Sequence, residues 1–505
     1  MNAKQCNSTF LPARLNYYLG FFLLTTAIFA GPQLAYAANQ TLNGGETLSL
    51  NSDVTWDSLS TNTTANNWAI ITGPYNITVT GKTDIQFVSF QNTGSINFED
   101  ETLIEHCVFD GNANVSIGTT STPLSTNIIV EASDFRNQVY STAFQVNSVP
   151  GDSIGTYHLK DNTFIYTTRK VILLKGRNGA HVQGNVLYNV ELGNLSGSNW
   201  TIAGGHIYRD NFLSSDSGVT NYRTLAVNGG KPTITFDNNY CYYDFNNPHP
   251  FTFTSSGVAG TDKYINNIIE VVFNTDGANI FNSNTARPVE VSRNILIGSG
   301  SLVNAVGGDA RQSITINNNT CYSKLAGNGN DGLLFLSESG PSSGTIDIYN
   351  NIISGDTDPG KGIASITGIQ TISYSDYNTF YNVTAPYSKV SPQSGLNHDI
   401  SDNPQFIAPS RNLSAWDTYK GGAGTKTSAI KGLAKMNGYN AASKLQNDLP
   451  SGYKPIDLMN WVRYGFTPTN PFLQGAGKDG TDIGAVKLAT ESNLSITIDK
   501  PLISD

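Results

Sequence analysis

Charge is the first thing this chain lacks. Only 14% of its 505 residues are charged, 30 Lys and Arg against 39 Asp and Glu, for a formal charge of −9. An average globular chain carries about a quarter. So few Lys and Glu argue against a mainly helical protein and against a coiled coil. The negative balance, with no long basic run, argues against a nucleic-acid partner. Sulfur is scarce too, with 3 Met and 4 Cys and no Cys-x-x-Cys pair. No Gly-x-Ser-x-Gly elbow, Walker loop or zinc signature occurs. Beyond the first 40 residues no apolar run is long enough to span a bilayer.

Amides and small residues stand where charges would be. The chain has 56 Asn and 49 Gly. It also has 24 Tyr and 23 Phe, and at 38% hydrophobic it can bury a sizeable core. The N-terminus reads as an export signal, not as part of the fold. Lys4 and Arg14 precede an apolar stretch from Tyr17 to Ala30, and Ala35-Tyr36-Ala37 supplies an A-x-A cleavage pattern before Ala38. The expected mature protein is secreted, extracellular or periplasmic, with no membrane span. Cys107, Cys241 and Cys321 remain after cleavage. They read as small buried apolar residues.

A repeat decides the fold. A motif of one or two Asn, one further residue and then an apolar residue ends in Asn162-Thr163-Phe164, Asn185-Val186-Leu187, Asn239-Tyr240-Cys241, Asn294-Ile295-Leu296, Asn319-Thr320-Cys321, Asn351-Ile352-Ile353 and Asn378-Thr379-Phe380. Looser copies centre on Asn211 and Asn267, and degenerate ones on Cys107 and Ser133. From Asn162 onward the steps are 23, 26, 28, 28, 27, 25, 32 and 27 residues. Short runs such as Ile346-Asp347-Ile348 alternate with period two, so each repeat holds strands and not helices. The expected fold is all-β, a right-handed parallel β-helix with rungs about 4.8 Å apart and a stacked Asn ladder. Each Asn is expected to take the left-handed bend itself. Residues 38–80 would start the solenoid, 81–400 would form it, and 491–505 would be a tail. Residues 401–490 would be a C-terminal cap over the open end, helical at 428–435 and 455–464. Three rungs separate Cys241 from Cys321, too far for a disulfide.

The rungs resemble the parallel β-helix repeat superfamily of pectate lyases, family six polysaccharide lyases, polygalacturonases and phage tailspikes. Asp402-Asn403-Pro404-Gln405-Phe406 resembles the D-P-x-F that follows the last rung in secreted members. Asn470-Pro471 through Gly477, then Asp479 to Ala485, resembles their terminal motif. The resemblance covers roughly residues 80–486 and implies the fold far more than an activity. Asn274-Thr275-Asp276-Gly277 matches a polygalacturonase motif, but that family's other motifs are missing. Asn246-Asn247-Pro248-His249 lacks the acid of the alginate epimerases.

One stretch stands out, Arg169-Lys170-Val171-Ile172-Leu173-Leu174-Lys175-Gly176-Arg177, with four of the 30 basic residues. The turn after the equivalent strand elsewhere carries Asn147, Asn228, Asn282 or Asn304. Here it carries Lys175. Family six lyases have a Lys at about this place, so the resemblance makes Lys175 the base of a β-elimination. Their next rung has Arg-His-Gly; here Asn199-Trp200 to His206 stands there. Arg177, Arg223 and His206 are the carboxylate-binding or acid candidates, and Lys170, Asn228 and Trp200 the substrate contacts. His181 is expected to stack on His206, and Tyr208, Tyr242 and Tyr243 are candidate sugar platforms. Asp356-Thr357-Asp358 is a candidate Ca²⁺ loop, and no other cofactor is indicated. The expected partner is a polysaccharide, and an acidic one. Two functions follow, a lyase or a non-catalytic glycan-binding, adhesive or structural surface protein.

Overall fold

The structure is a computed structural model. It describes residues 38–118, 128–147, 157–174, 180–195, 205–214, 225–228, 233–244, 251–255, 260–272, 279–285, 288–298, 301–304, 313–324, 332–336, 345–365, 372–390, 398–434 and 453–487. The expected signal segment lies outside the described residues. The strands pair in parallel between successive rungs, giving a right-handed parallel β-helix. Its first face is a sheet of 14 strands from Asn39–Asn43 to Tyr374–Asp376. The second face runs through Val88–Gln91, Tyr240–Tyr243 and Ile352–Gly355 to Thr379–Phe380. The third runs from Val54–Trp56 through Ile96–Phe98, Thr142–Val146 and Leu225–Asn228 to Ser301–Asn304. Thr163–Leu174 and Val186–Leu195 turn the corner and serve both the second and third faces.

Period-two alternation fills the interior. On the first face Ile104, Val130, Leu159, Val182, Tyr208, Phe236 and Tyr264 form one inward column. On the second face Phe90, Phe109, Phe135 and Phe164 stack with centroids 4.6 to 4.8 Å apart, the rung repeat itself. Cys241 and Cys321 sit three rungs apart in the continuation of that column, and Cys107, Cys241 and Cys321 are buried with no disulfide among them.

The Asn ladder is present from Asn162 to Asn378. The Oδ1 of each Asn accepts the backbone N–H of the preceding ladder residue at 2.9 to 3.1 Å. Its Nδ2 donates to a carbonyl of the preceding rung, as Asn267 does to Phe236. Ser133 starts the ladder by accepting the Cys107 N–H, and Asp399 ends it by accepting the Asn378 N–H. Asp399 lacks the amide donor of the ladder Asn, and its second oxygen accepts the Tyr387 hydroxyl. The ladder Asn does not itself take the left-handed bend. The residue before it does, at φ 54° to 59° for Asp161, Asp210, Asn238, Asn266, Arg293, Asn318 and Asn350. Freed from that strain, the ladder Asn points inward and bonds both neighbours.

The C-terminal segment differs from expectation in place, not in character. Helices form over Leu413–Tyr419, Lys426–Ala434 and Pro455–Gly465. The first is capped by Asn412, which accepts the Ala415 N–H, and the last is opened by Pro455. They do not sit across the open end. They lie along the outside of the second face, where Val186, Phe212, Tyr240, Ile268 and Ile295 form an apolar stripe with Leu413, Trp416, Leu458 and Val462. Thr163 bonds Ala434 at one limit, and Gly484 bonds Asn350 at the other. Seven rungs lie between, roughly 34 Å at about 4.8 Å each. An apolar stripe of that length requires a partner, and this arm is it.

Candidate functional site

Of the seven residues expected to act together, the structure describes three, Lys170, His206 and Asn228. Lys175, Arg177, Arg223 and Trp200 lie outside the described residues. Arg169 is ion-paired with Glu191 on the next rung. Lys170 donates its ammonium to the Val139 carbonyl at 3.0 Å, and burial lowers its pKa. Asn228 ends a third-face strand, aligned with Leu195 and Thr254. The expected Asn column splits there. Asn228 aligns through Thr254 with Asn284, whereas Asn282 and Asn304 pair with each other two positions earlier. Asn147 is buried and donates to Ser116 Oγ and the Gly118 carbonyl.

His206 is inside the coil and cannot touch a substrate on the surface. It is fully buried, and its Nδ1 accepts the Ala180 N–H at 3.0 Å. That bond keeps Nδ1 unprotonated, and burial drives the imidazole pKa down to about 4. His181 meets His158 edge-on, with ring centroids 5.0 Å apart, and does not stack on His206. The two columns differ by one residue, so they face opposite sides of the sheet. The tyrosine platforms are likewise buried, Tyr208 and Tyr243 in the coil and Tyr242 under the arm.

Asp356 and Asp358 do not form a cation loop. Asp356 accepts the Tyr322 hydroxyl, and Asp358 accepts the Gly360 and Thr384 amides and the Thr384 hydroxyl. Among the described residues no three His, Cys, Asp or Glu converge on a point that could hold a metal.

A site that sequence reasoning missed lies where the second face meets the arm. A cleft of about 380 Å³ is walled by Tyr322, Tyr381 and Phe406 and rimmed by Asp356, Asn382 and Gln405. Ser354 lies against it, 1% exposed, and its hydroxyl has no hydrogen-bond partner among the described residues. Tyr322 is fixed edge-on to Phe406 and Phe466. Beneath the arm, Glu270 is fully buried and accepts the Tyr240 hydroxyl and the Leu413 N–H. Burial raises its pKa, against those two bonds and the charge of Lys324. Burial also lowers the pKa of Lys324, while Glu270 and Asp356 act the other way. One signal in the sequence points here: Asp356 stands in the Asp356-Thr357-Asp358 motif, which suggests a cation and not a sugar. The repeat register also stacks Tyr322 on Ser354. No family model, curated protein or solved structure matches this chain.

Proposed function

We propose that this is an exported solenoid that holds an acidic polysaccharide along its third face without cleaving it. The observation that carries the choice of binding over cleavage is the position of His206. The acid candidate is sealed in the core, and Arg169 and Lys170 are engaged by Glu191 and Val139. Proton transfer to a leaving oxygen needs a group within hydrogen-bond reach of it, and His206 is removed from that role. What supports a glycan on the third face is the uneven cover of the coil. The coil residues packed beneath the arm belong to the second face. The strand Thr163–Leu174, which pairs into the third face, carries Arg169 and Lys170, and Lys175 and Arg177 follow it in the sequence.

A lyase reading keeps one specific support. Leu174 is aligned with Val146 at the end of the third-face ladder, and Lys175 is the next residue in the sequence. The test is incubation with alginate, pectate and glycosaminoglycans, following the absorbance of unsaturated product. The expected result is none. Product that appears with the wild type and is abolished by Lys175→Ala would replace binding by β-elimination.

A further inference from the structure

The cleft beside Ser354 has a shape set by the rung repeat. The outward column of the second face reads Tyr242, Glu270, Ile297, Tyr322, Ser354. Phe380 pairs with Ile353, so Tyr381 is the next member. A small residue therefore stands between two tyrosines, one rung to either side. Two rungs are about 9.6 Å. The slot has the width of one ring held between two aromatic side chains, with about 4.8 Å on each side. Its volume, about 380 Å³, is at the lower end for ligand cavities. That suits one ring and not a length of chain.

The lining selects the ring's chemistry. At the floor, the Ser354 hydroxyl is buried without a partner, a state that is unfavourable until something bonds it. At the rim stand the Asp356 carboxylate and the Asn382 and Gln405 side chains, and none of the lining residues is basic. Carboxylate and amides bond hydroxyls, and tyrosine faces take the apolar side of a saturated ring. A uronate would meet the Asp356 charge with no cation in the lining to offset it. The geometry points to this cleft as a binding site for a single neutral pyranose, held between Tyr322 and Tyr381 and hydrogen-bonded by Ser354 and Asp356. The site lies on the second face and goes beyond the binding proposed for the third.

The test is titration of the whole protein with methyl glycosides of glucose, galactose and mannose, and with glucuronate and galacturonate, followed by saturation-transfer NMR. At least one neutral glycoside should bind in the millimolar range, with the uronates at least fivefold weaker. Ser354→Ala should weaken the neutral ligand at least threefold without lowering the thermal midpoint, because the hydroxyl has no hydrogen bond within the protein to lose. Tyr381→Ala should weaken it similarly. Asp356→Asn should narrow the gap between neutral sugar and uronate. The proposal is overturned if no neutral glycoside binds, if Ser354→Ala and Tyr381→Ala bind like the wild type, or if uronates bind as well as neutral sugars.

Discussion

Replacing Asn267 by Ala should be among the most damaging single changes to the solenoid. Asn267 is fully buried in the middle of the ladder. Its Oδ1 accepts the Asn239 N–H at 2.9 Å and the Asn239 Nδ2 at 3.0 Å. Its Nδ2 donates to the Phe236 carbonyl and to Asn294 Oδ1, both at 2.9 Å. Two of the four partners keep other bonds: Asn239 Nδ2 still reaches Tyr208 and Asp237, and Asn294 Oδ1 still accepts the Asn267 N–H. The other two suffer. The Asn239 N–H loses its acceptor, and the Phe236 carbonyl loses one donor while its strand stays paired with the next rung. At about 1–3 kcal/mol for the stranded Asn239 N–H and about 1 kcal/mol for the bond lost at Phe236, the loss is about 2–4 kcal/mol. Urea unfolding gives the global loss, and amide exchange at Asn239 gives the local one. Asn267→Ser should recover part of it, because the Ser133 hydroxyl accepts the equivalent N–H at the ladder's start. A loss below about 1 kcal/mol with unchanged protection at Asn239 would refute a ladder that bears on stability.

Three further outcomes follow from the same geometry. His206→Gln keeps an acceptor for the Ala180 N–H and removes a titration. The folded pKa of about 4 lies below the ordinary 6.5, so the wild type is fully stabilised above pH 6.5 and loses that contribution as pH falls through it. Between pH 7 and 5 the wild type should lose about 2 kcal/mol more than the variant in urea unfolding; equal losses would place His206 in contact with water. Burial pushes the Cys107 thiol up to about 12 and those of Cys241 and Cys321 well above the ordinary range. None of the three should be alkylated by iodoacetamide in the native protein, and all should be in urea, as read by peptide mass spectrometry. Trp416→Ala empties a buried site against Tyr453 and Trp461 and should cost about 3–5 kcal/mol. Amide exchange should then rise at residues 413–434 and also at Phe212 and Tyr240, which a segment covering only the coil's end would leave untouched.

Local repetition was legible in the sequence, and long-range cover was not fully read. The motif from Asn162 to Asn378 marks ladder residues at every copy, because an inward amide must recur once per rung. The side of the sheet was also recoverable for the histidines. Tyr208, three before Asn211, faces inward like Leu159 and Val182, so His206, five before, must face inward as well. His181 stands four before its Asn and faces out. The arm's position had a signal too. Runs such as Val186-Leu187-Tyr188 and Tyr240-Cys241-Tyr242-Tyr243 are apolar without alternation, the mark of a strand covered on both sides. The cleft was harder. Stacking brings Tyr322, Ser354 and Tyr381 together, but its far wall at Gln405 and Phe406 comes from a segment outside the repeat.

The most direct measurement is affinity electrophoresis of the native protein through gels containing pectate, alginate or hyaluronan, at low and high salt. Binding along a basic third face predicts retardation by at least one of them, weakened by salt and by Lys175→Ala combined with Arg177→Ala. Unaltered mobility in every polysaccharide at low salt would contradict it.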